Sequence, residues 1–362
     1  MSRDIDRHEG RDQRTSTLSA GSDRPNSREP QRRPERRSAH RLALLLLLGA
    51  ITTPFAPPVA TAGADDGADV DLSKPLTLQQ ALSFASGHAR TQSNKAARLF
   101  PRRQPLFVGC HELAFTGTRG RDDRRDVAWS TLLTAEDQQR LEIMQRFYDV
   151  LLADLSFSRD SEAMAVAYIQ FDRAAAREEL GQFSPLAVAE LEAGYQLIRR
   201  QRAASEASQR VTRSLLAQAL GRPDDLPRDL VTPDLDTQPA PLPELDAVVA
   251  EAMEKNSRIK QLIAERTDAE RALVEMEVRQ QALELLTRLN LLKVIAEQAR
   301  SESNWRDLKL DESRTMYELE AKADLGFSMS QQTKARRDEE QVALCKTLTR
   351  AELEALQGRT AR

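Results

Sequence analysis

The chain has 362 residues, 30% of them charged and only 4% aromatic, with a formal net charge of −3. So small a charge on such a length argues against a nucleic-acid partner. Ala, Leu, Glu, Arg and Gln dominate beyond residue 130, which suits long helices and suits an aromatic-rich enzyme core poorly.

Residues 1–62 read as a basic, structureless lead followed by a secretory signal. The opening is rich in Arg, Ser, Asp and Pro and has no apolar period. Arg36, Arg37 and Arg41 then precede the short apolar run from Leu42 to Ile51, and Ala60-Thr61-Ala62 supplies a small-residue cleavage pattern. The run is too short to span a bilayer. A short buried helix is the competing reading. Residues 63–74 are a linker rich in Asp, Gly and Ala. A first repeat over 75–235 opens with a short helix at Pro75–Leu82 and contains an irregular stretch, 101–126, punctuated by Pro101, Pro105, Gly109, Gly117 and Gly120. Leu106 to Phe115 is long enough for one strand.

Thr134-Ala135-Glu136-Asp137 is a T-x-x-D cap, in which the hydroxyl accepts from a free helix N–H. Leu141, Met144, Tyr148, Leu151 and Leu155 follow at helical spacing, and Ala165 and Ile169 keep the phase. The pattern predicts a helix from Thr134 to about Leu180, on the order of 70 Å long. Gly181-Gln182-Phe183-Ser184-Pro185-Leu186 breaks it: Gly181 suits a left-handed C-cap, Ser184 an N-cap and Pro185 a first helical position. A second helix runs to about Leu220, with Val188, Leu191, Tyr195 and Ile198 in its seam, and Gly221-Arg222-Pro223 ends it. Two long helices joined by so few residues form an antiparallel hairpin.

A Pro-rich connector, Pro223 to Pro243, leads into the second repeat, 236–362. Leu245, Val248, Val249 and Ala252 make a short amphipathic stretch. The next seam is Ile259, Leu262, Ala269, Leu273, Met276 and Leu283, with helix predicted to about Arg300. Trp305–Leu325 and Thr333–Leu356 are helix-like, and Gly326 is the clear breaker between them. The two repeats align weakly: Phe171-Asp172 lies over Leu310-Asp311, Leu180 over Leu319, and Leu186 over Leu325.

Chemistry-bearing residues form no constellation. There is no GxSxG, HExxH, Walker or Gly-rich nucleotide motif, so the chain is expected not to be an enzyme and to need no cofactor. His8, His40, His88 and His111 are scattered, and no metal site is expected. Cys110 and Cys345 admit a single disulfide, but two unpaired thiols are the preferred reading. Arg199, Arg200, Arg202, Arg210 and Arg213 alternate with acidic and amide residues and read as a solvated helix face. Trp129 and Trp305 read as packing against neighbouring helices rather than as interfacial anchors.

Four segments carry a family resemblance. Leu76-Thr77-Leu78-Gln79-Gln80-Ala81-Leu82 is similar to the opening of TolC-type outer-membrane efflux proteins. Glu179 to Leu186 resembles that family's hairpin tip, Leu215 to Pro223 its repeat ending, and Met316 to Gly326 its second tip. The resemblance implies a homotrimer, an outer-membrane and periplasmic location, and long helices whose tips meet the periplasmic adaptor of an inner-membrane pump. It implies docking residues at Gly181, Gln182, Phe183, Ser184, Pro185 and Leu186, and at Lys322, Ala323, Asp324, Leu325 and Gly326. A plain interhelix turn would also use Gly and Pro at the first tip, and Asp324 reads more simply as a solvated acid than as part of a pore constriction. Residues 259–300 show helix seams where the family has a strand pair, so barrel strands are reduced or absent. The expected fold is all-α, made of long antiparallel hairpins from two internal repeats. The expected function is a TolC-like efflux or secretion component. The alternative is a periplasmic coiled-coil scaffold derived from that family that has lost channel function.

Overall fold

The computed structural model describes residues 70–99, 102, 107–115, 129–235, 241–264, 266–319 and 325–360. They all lie in one compact unit within Gly63–Arg362. The signal, the lead and most of the linker lie outside them.

Three short helices, α1 (Leu78–Ser83), α2 (Ala89–Gln92) and α3 (Asn94–Leu99), precede α4 (Cys110–Ala114) and a 3₁₀ turn at Trp129–Leu132. The long elements are α5 (Ala135–Glu179) and α6 (Pro185–Leu220). Two shorter helices, α7 (Leu245–Lys255) and α8 (Ser257–Ile263), lead to α9 (Asp268–Glu318) and α10 (Leu325–Leu356). The fold is all-α. Among the described residues the only β feature is an isolated parallel bridge between Leu76 and Leu230.

Local chemistry sets the ends of the helices. Thr77 and Gln80 form a reciprocal capping box at α1. Thr134 Oγ1 accepts from Asp137 N at 3.1 Å and starts α5. Gly221 ends α6 in the left-handed region at φ 75°, its N–H directed at Ala217 and Gln218 carbonyls.

Long helices pack in sequence: α6 on α5, α5 on α10, and α10 on α9. The result is a row of four antiparallel helices ordered α6–α5–α10–α9, with α6 and α9 at its edges. The core sits at one end of this row. Nearly every residue of α5 from Leu141 to Ala153 is buried there, because α1, α2 and α10 surround it as well as α6. Beyond Ser156 only Asp160, Ala167 and Ala174 of α5 are buried, since that stretch has only α6 and α10 beside it.

Several expectations are corrected. Residues 110–114 are helical rather than a strand. Among the described residues no second strand lies beside them, and the backbone N–H groups of Phe107 and Val108 are both taken by the Asp149 carboxylate at 3.1 Å. Cys110 and Cys345 are joined in a disulfide with Cα atoms 5.2 Å apart, where two thiols were preferred. The seam of α9 faces differently. Val278, Ala282, Leu285, Leu286, Leu289 and Leu292 are buried, whereas Leu273, Met276 and Leu283 are exposed. Helix α9 carries two apolar stripes, and the one toward α7, α4 and α10 takes the core. The expected run from Ile259 breaks after Ile263, and α9 starts at a second capping box, Thr267 with Glu270. It then continues through Arg300 to Glu318 without a gap.

Gly326 lies inside α10 instead of breaking it. A Cβ there would come within 2.6 Å of Val166 Cγ2, so glycine serves close packing on α5. Trp305 is 50% exposed rather than packed, with the Arg306 guanidinium 4.0 Å above its ring. The side chain of Trp129 is outside the described residues. Arg213 is not part of a solvated face: it makes two 2.8 Å contacts with the Asp154 carboxylate.

Candidate functional site: hairpin tips and row edges

The first tip forms as its chemistry dictates. Gly181 takes φ 69°, with nothing near the position of an added Cβ. Its N–H reaches Glu178 O at 2.8 Å, and Gln182 N reaches Arg177 O at 2.8 Å, so the last carbonyls of α5 are satisfied. Ser184 Oγ accepts from Ala187 N at 3.2 Å and Pro185 occupies the first position of α6. Phe183 is half-buried rather than fully exposed. The apolar groups presented to solvent are Leu180 and Leu186, each 71% exposed. Of the expected docking residues at this tip, Leu186 is therefore more exposed than Phe183, and Leu180, which lies just outside that set, is equally exposed.

At the second tip Lys322, Ala323 and Asp324 lie outside the described residues. Leu325 begins α10 and Gly326 packs on Val166. Leu319 is exposed before the tip and Phe327 after it. Ser313 and Ser328 share a hydrogen bond of 2.7 Å across α9 and α10. Val166 is fourteen residues (180 − 166) before Leu180, so α5 runs on about 20 Å past the level of Gly326 before its turn.

Side-chain contacts run straight across the row at one height. The Arg202 guanidinium lies 5.0 Å from the Phe157 ring centroid. Arg337 Nε donates to Ser156 Oγ at 3.3 Å, and Arg336 reaches Asp307 at 3.4 Å. This rung places Ala204 of α6 and Trp305 of α9 level with each other on opposite edges.

Each edge carries unpartnered apolar residues. On α6 the exposed positions include Leu186, Ala193, Leu197, Ala204 and Val211, spaced at seven, four, seven and seven. On α9 they include Leu273, Met276, Leu283, Val294, Trp305, Leu308 and Met316. Numbered at 100° per residue, these seven fall within one stripe about 100° wide. Stripes of this kind are helix-packing surfaces, and α6 and α9 are not a closely packed pair within one copy.

At the core end a buried ion pair fixes α9 against α10. Arg288 contacts Glu352 at 2.7 Å and Glu284 at 2.8 Å. Burial raises the Glu352 carboxyl above its ordinary value against the pull of Arg288. Among the described residues no group of three or more His, Cys, Asp or Glu side chains could hold a metal ion. No described helix is long and apolar enough to cross a membrane.

No protein-family model matches the chain. No curated protein matches it either. Among solved structures it is similar to CusC, whose crystal structures concern conformational changes accompanying folding and transmembrane channel formation. The TM-score is 0.50 at 11% identity, over 78% of this chain and 96% of that one. A membrane protein from Pseudomonas aeruginosa superposes more loosely, with a TM-score of 0.39 at 13% identity, over 86% of this chain and 97% of that one. At this identity the likeness to CusC is one of fold: this chain shares the helical architecture of a protein that forms a transmembrane channel.

Proposed function

We propose that the chain is an exported, non-enzymatic, TolC-like efflux or secretion component whose copies close into a periplasmic helical tunnel. The observation that carries this reading is the open row. Its helices alternate in direction, and α9 at one edge is antiparallel to α6 at the other. A second copy that sets its α6 edge on the α9 edge of the first continues the alternation without interruption. Such a head-to-tail contact is heterologous, and it makes a ring when the rotation closes. The fold shared with CusC and the four sequence motifs support the same reading, and the motifs favour three copies. In this assembly the first tip, with the exposed Leu180 and Leu186, suits a periplasmic adaptor protein.

The test is a pair of cysteines placed at the rung, Ala204→Cys and Trp305→Cys, in one chain. Oxidation should link copies into a closed oligomer that runs on a non-reducing gel at a discrete multiple of the monomer. Monomer only, or cross-links of equal yield from the control pair Ala204→Cys and Glu297→Cys, would sink the ring.

One observation favours the alternative scaffold. Residues 268–300, where the family places a strand pair, form helix, and Val278, Ala282, Leu285 and Leu289 fill the core. A scaffold would be recovered from the periplasm by salt alone and would give no conductance in planar bilayers. A duct would require detergent and would conduct.

A further inference from the structure

We infer that Cys110 and Cys345 are an oxidative modification site, and that their coupling latches residues 107–115 between α5, α9 and α10. The inference is independent of the channel reading. It rests on how this strap is held. The Asp149 carboxylate accepts from Phe107 N and Val108 N, and Gln341 Nε2 donates to Phe107 O at 2.7 Å. Val108 is buried, and α4, only five residues long, packs on α9 and α10. A helix of one turn has no stability of its own in water. The covalent bond from α4 to α10 therefore adds a further constraint to these hydrogen bonds in keeping the strap seated.

The placement of the sulfurs fixes the order of events. The two cysteines are 235 residues apart, so they meet only when α10 is docked. In the finished molecule Cys110 is 5% and Cys345 0% exposed, beyond the reach of an oxidant. Coupling thus precedes the final seating of the strap. One chain thiolate attacks the disulfide of a disulfide-bearing oxidant and forms a mixed disulfide, releasing the first oxidant thiolate. The second chain thiolate attacks the chain sulfur of that mixed disulfide and releases the other oxidant sulfur. Two electrons and two protons pass from the chain to the oxidant. Such oxidants prevail in exported compartments, and the same thiols would stay reduced in a cytosol.

The experiment uses the full chain from its natural compartment. Alkylation under denaturing, non-reducing conditions should find no free thiol, and digestion should give a peptide linking Cys110 to Cys345. Reduction and alkylation in denaturant followed by refolding should speed amide exchange at residues 107–115 by more than about tenfold, with α6 unchanged. Refolding reduced, unalkylated chain with oxidised glutathione should restore protection, which keeps the test informative if alkylated chain folds poorly. Free thiols in the natural protein would overturn the inference. So would unchanged exchange at 107–115, or loss of protection spread equally over α6, which would mark a fold-wide staple instead of a local latch.

Discussion

Asn256 is where the structure is most exposed to a single change. Its Oδ1 accepts from Arg258 N at 2.9 Å and Ile259 N at 3.1 Å, capping α8. Its Nδ2 faces three main-chain carbonyls, Leu132 at 3.1 Å, Ala355 at 3.3 Å and Leu356 at 2.9 Å. The side chain thus ties the 3₁₀ turn, the α7–α8 junction and the end of α10 together, and it is 1% exposed. Asn256→Ala removes the cap, worth about 1 kcal/mol. It also leaves buried carbonyls without that donor, at about 1–3 kcal/mol. The expected loss is about 3 kcal/mol in all, read as a shift in the urea midpoint at constant slope by circular dichroism. Asn256→Ser restores a capping oxygen but no bridging donor, so it should recover only about 1 kcal/mol of the loss. A loss under about 1 kcal/mol for Asn256→Ala, the level of an ordinary surface change, would refute the bridging role. Full recovery by Ser would show that only the cap matters.

Three further outcomes follow from named contacts. Gly326→Ala should destabilise by about 1–3 kcal/mol through overpacking on Val166, and adding Val166→Ala should recover most of that in a double-mutant cycle; the distance behind this is the 2.6 Å approach to Val166 Cγ2. Tyr148→Phe should be neutral, or stabilise by up to about 1 kcal/mol in thermal melts, because the buried Tyr148 hydroxyl has no partner among the described residues and burial alone pushes its pKa up. Acid should loosen the α2 region through His88, whose Nδ1 accepts from Arg90 N at 3.2 Å while Nε2 meets Gln218 O at 3.2 Å. Burial lowers its pKa below the ordinary 6.5, against the pull of Glu142. The folded chain then binds fewer protons than the unfolded one, so this contribution is complete above the ordinary value and fades as pH falls through it. His88→Gln should flatten the stability slope between about pH 7 and pH 5, measured by urea titration.

The sequence showed what is local and hid what is not. The cap at Thr134 and the Gly181–Ser184–Pro185 turn were readable because each is settled by hydrogen bonds within a few residues. The cap at Thr267 carries the same kind of signal, T-x-x-E, but the apolar seam runs on through it and hides the break. The seam of α9 was misread for a different reason. Two apolar stripes share one helix, and only the neighbours α4, α7 and α10 decide which is buried. The disulfide, the Asp149 anchor and the three-way bridge at Asn256 join residues far apart in sequence. Nothing at Cys110 or Cys345 alone points to the other. Gly326 read as a breaker because composition cannot distinguish a glycine that ends a helix from one that admits a neighbour. At the tip the turn is legible and Leu186 is among the residues expected there, but nothing local to the sequence tells that Leu180 and Leu186 are the more exposed groups and Phe183 the half-buried one.

The two ends of the molecule follow different rules, and that difference bears on what the chain does. At the core end, helices surround α5 on several sides, and several buried polar side chains there are fixed by neighbours within the same chain. Arg146 meets Asp149, Arg288 meets Glu352, and Asn256 joins three segments. The exposed stripe of α9 nevertheless begins at this end, where Leu273, Met276 and Leu283 stand beside the buried Val278 and Leu285. Along the row beyond Ser156 each long helix has one or two long neighbours, and the apolar residues of α6 and α9 that point elsewhere are covered by none of the described residues. Burying one such Leu is worth about 2 kcal/mol, so a pair of edges with several of them supplies a substantial driving force once copies meet. The same stripes would be a liability in a protein built to remain alone, since exposed apolar patches promote association. Under the proposed ring, the exposed edges of α6 and α9 are the surfaces a second copy would cover, and the exposed Leu180 and Leu186 at the first tip stay open to a further partner.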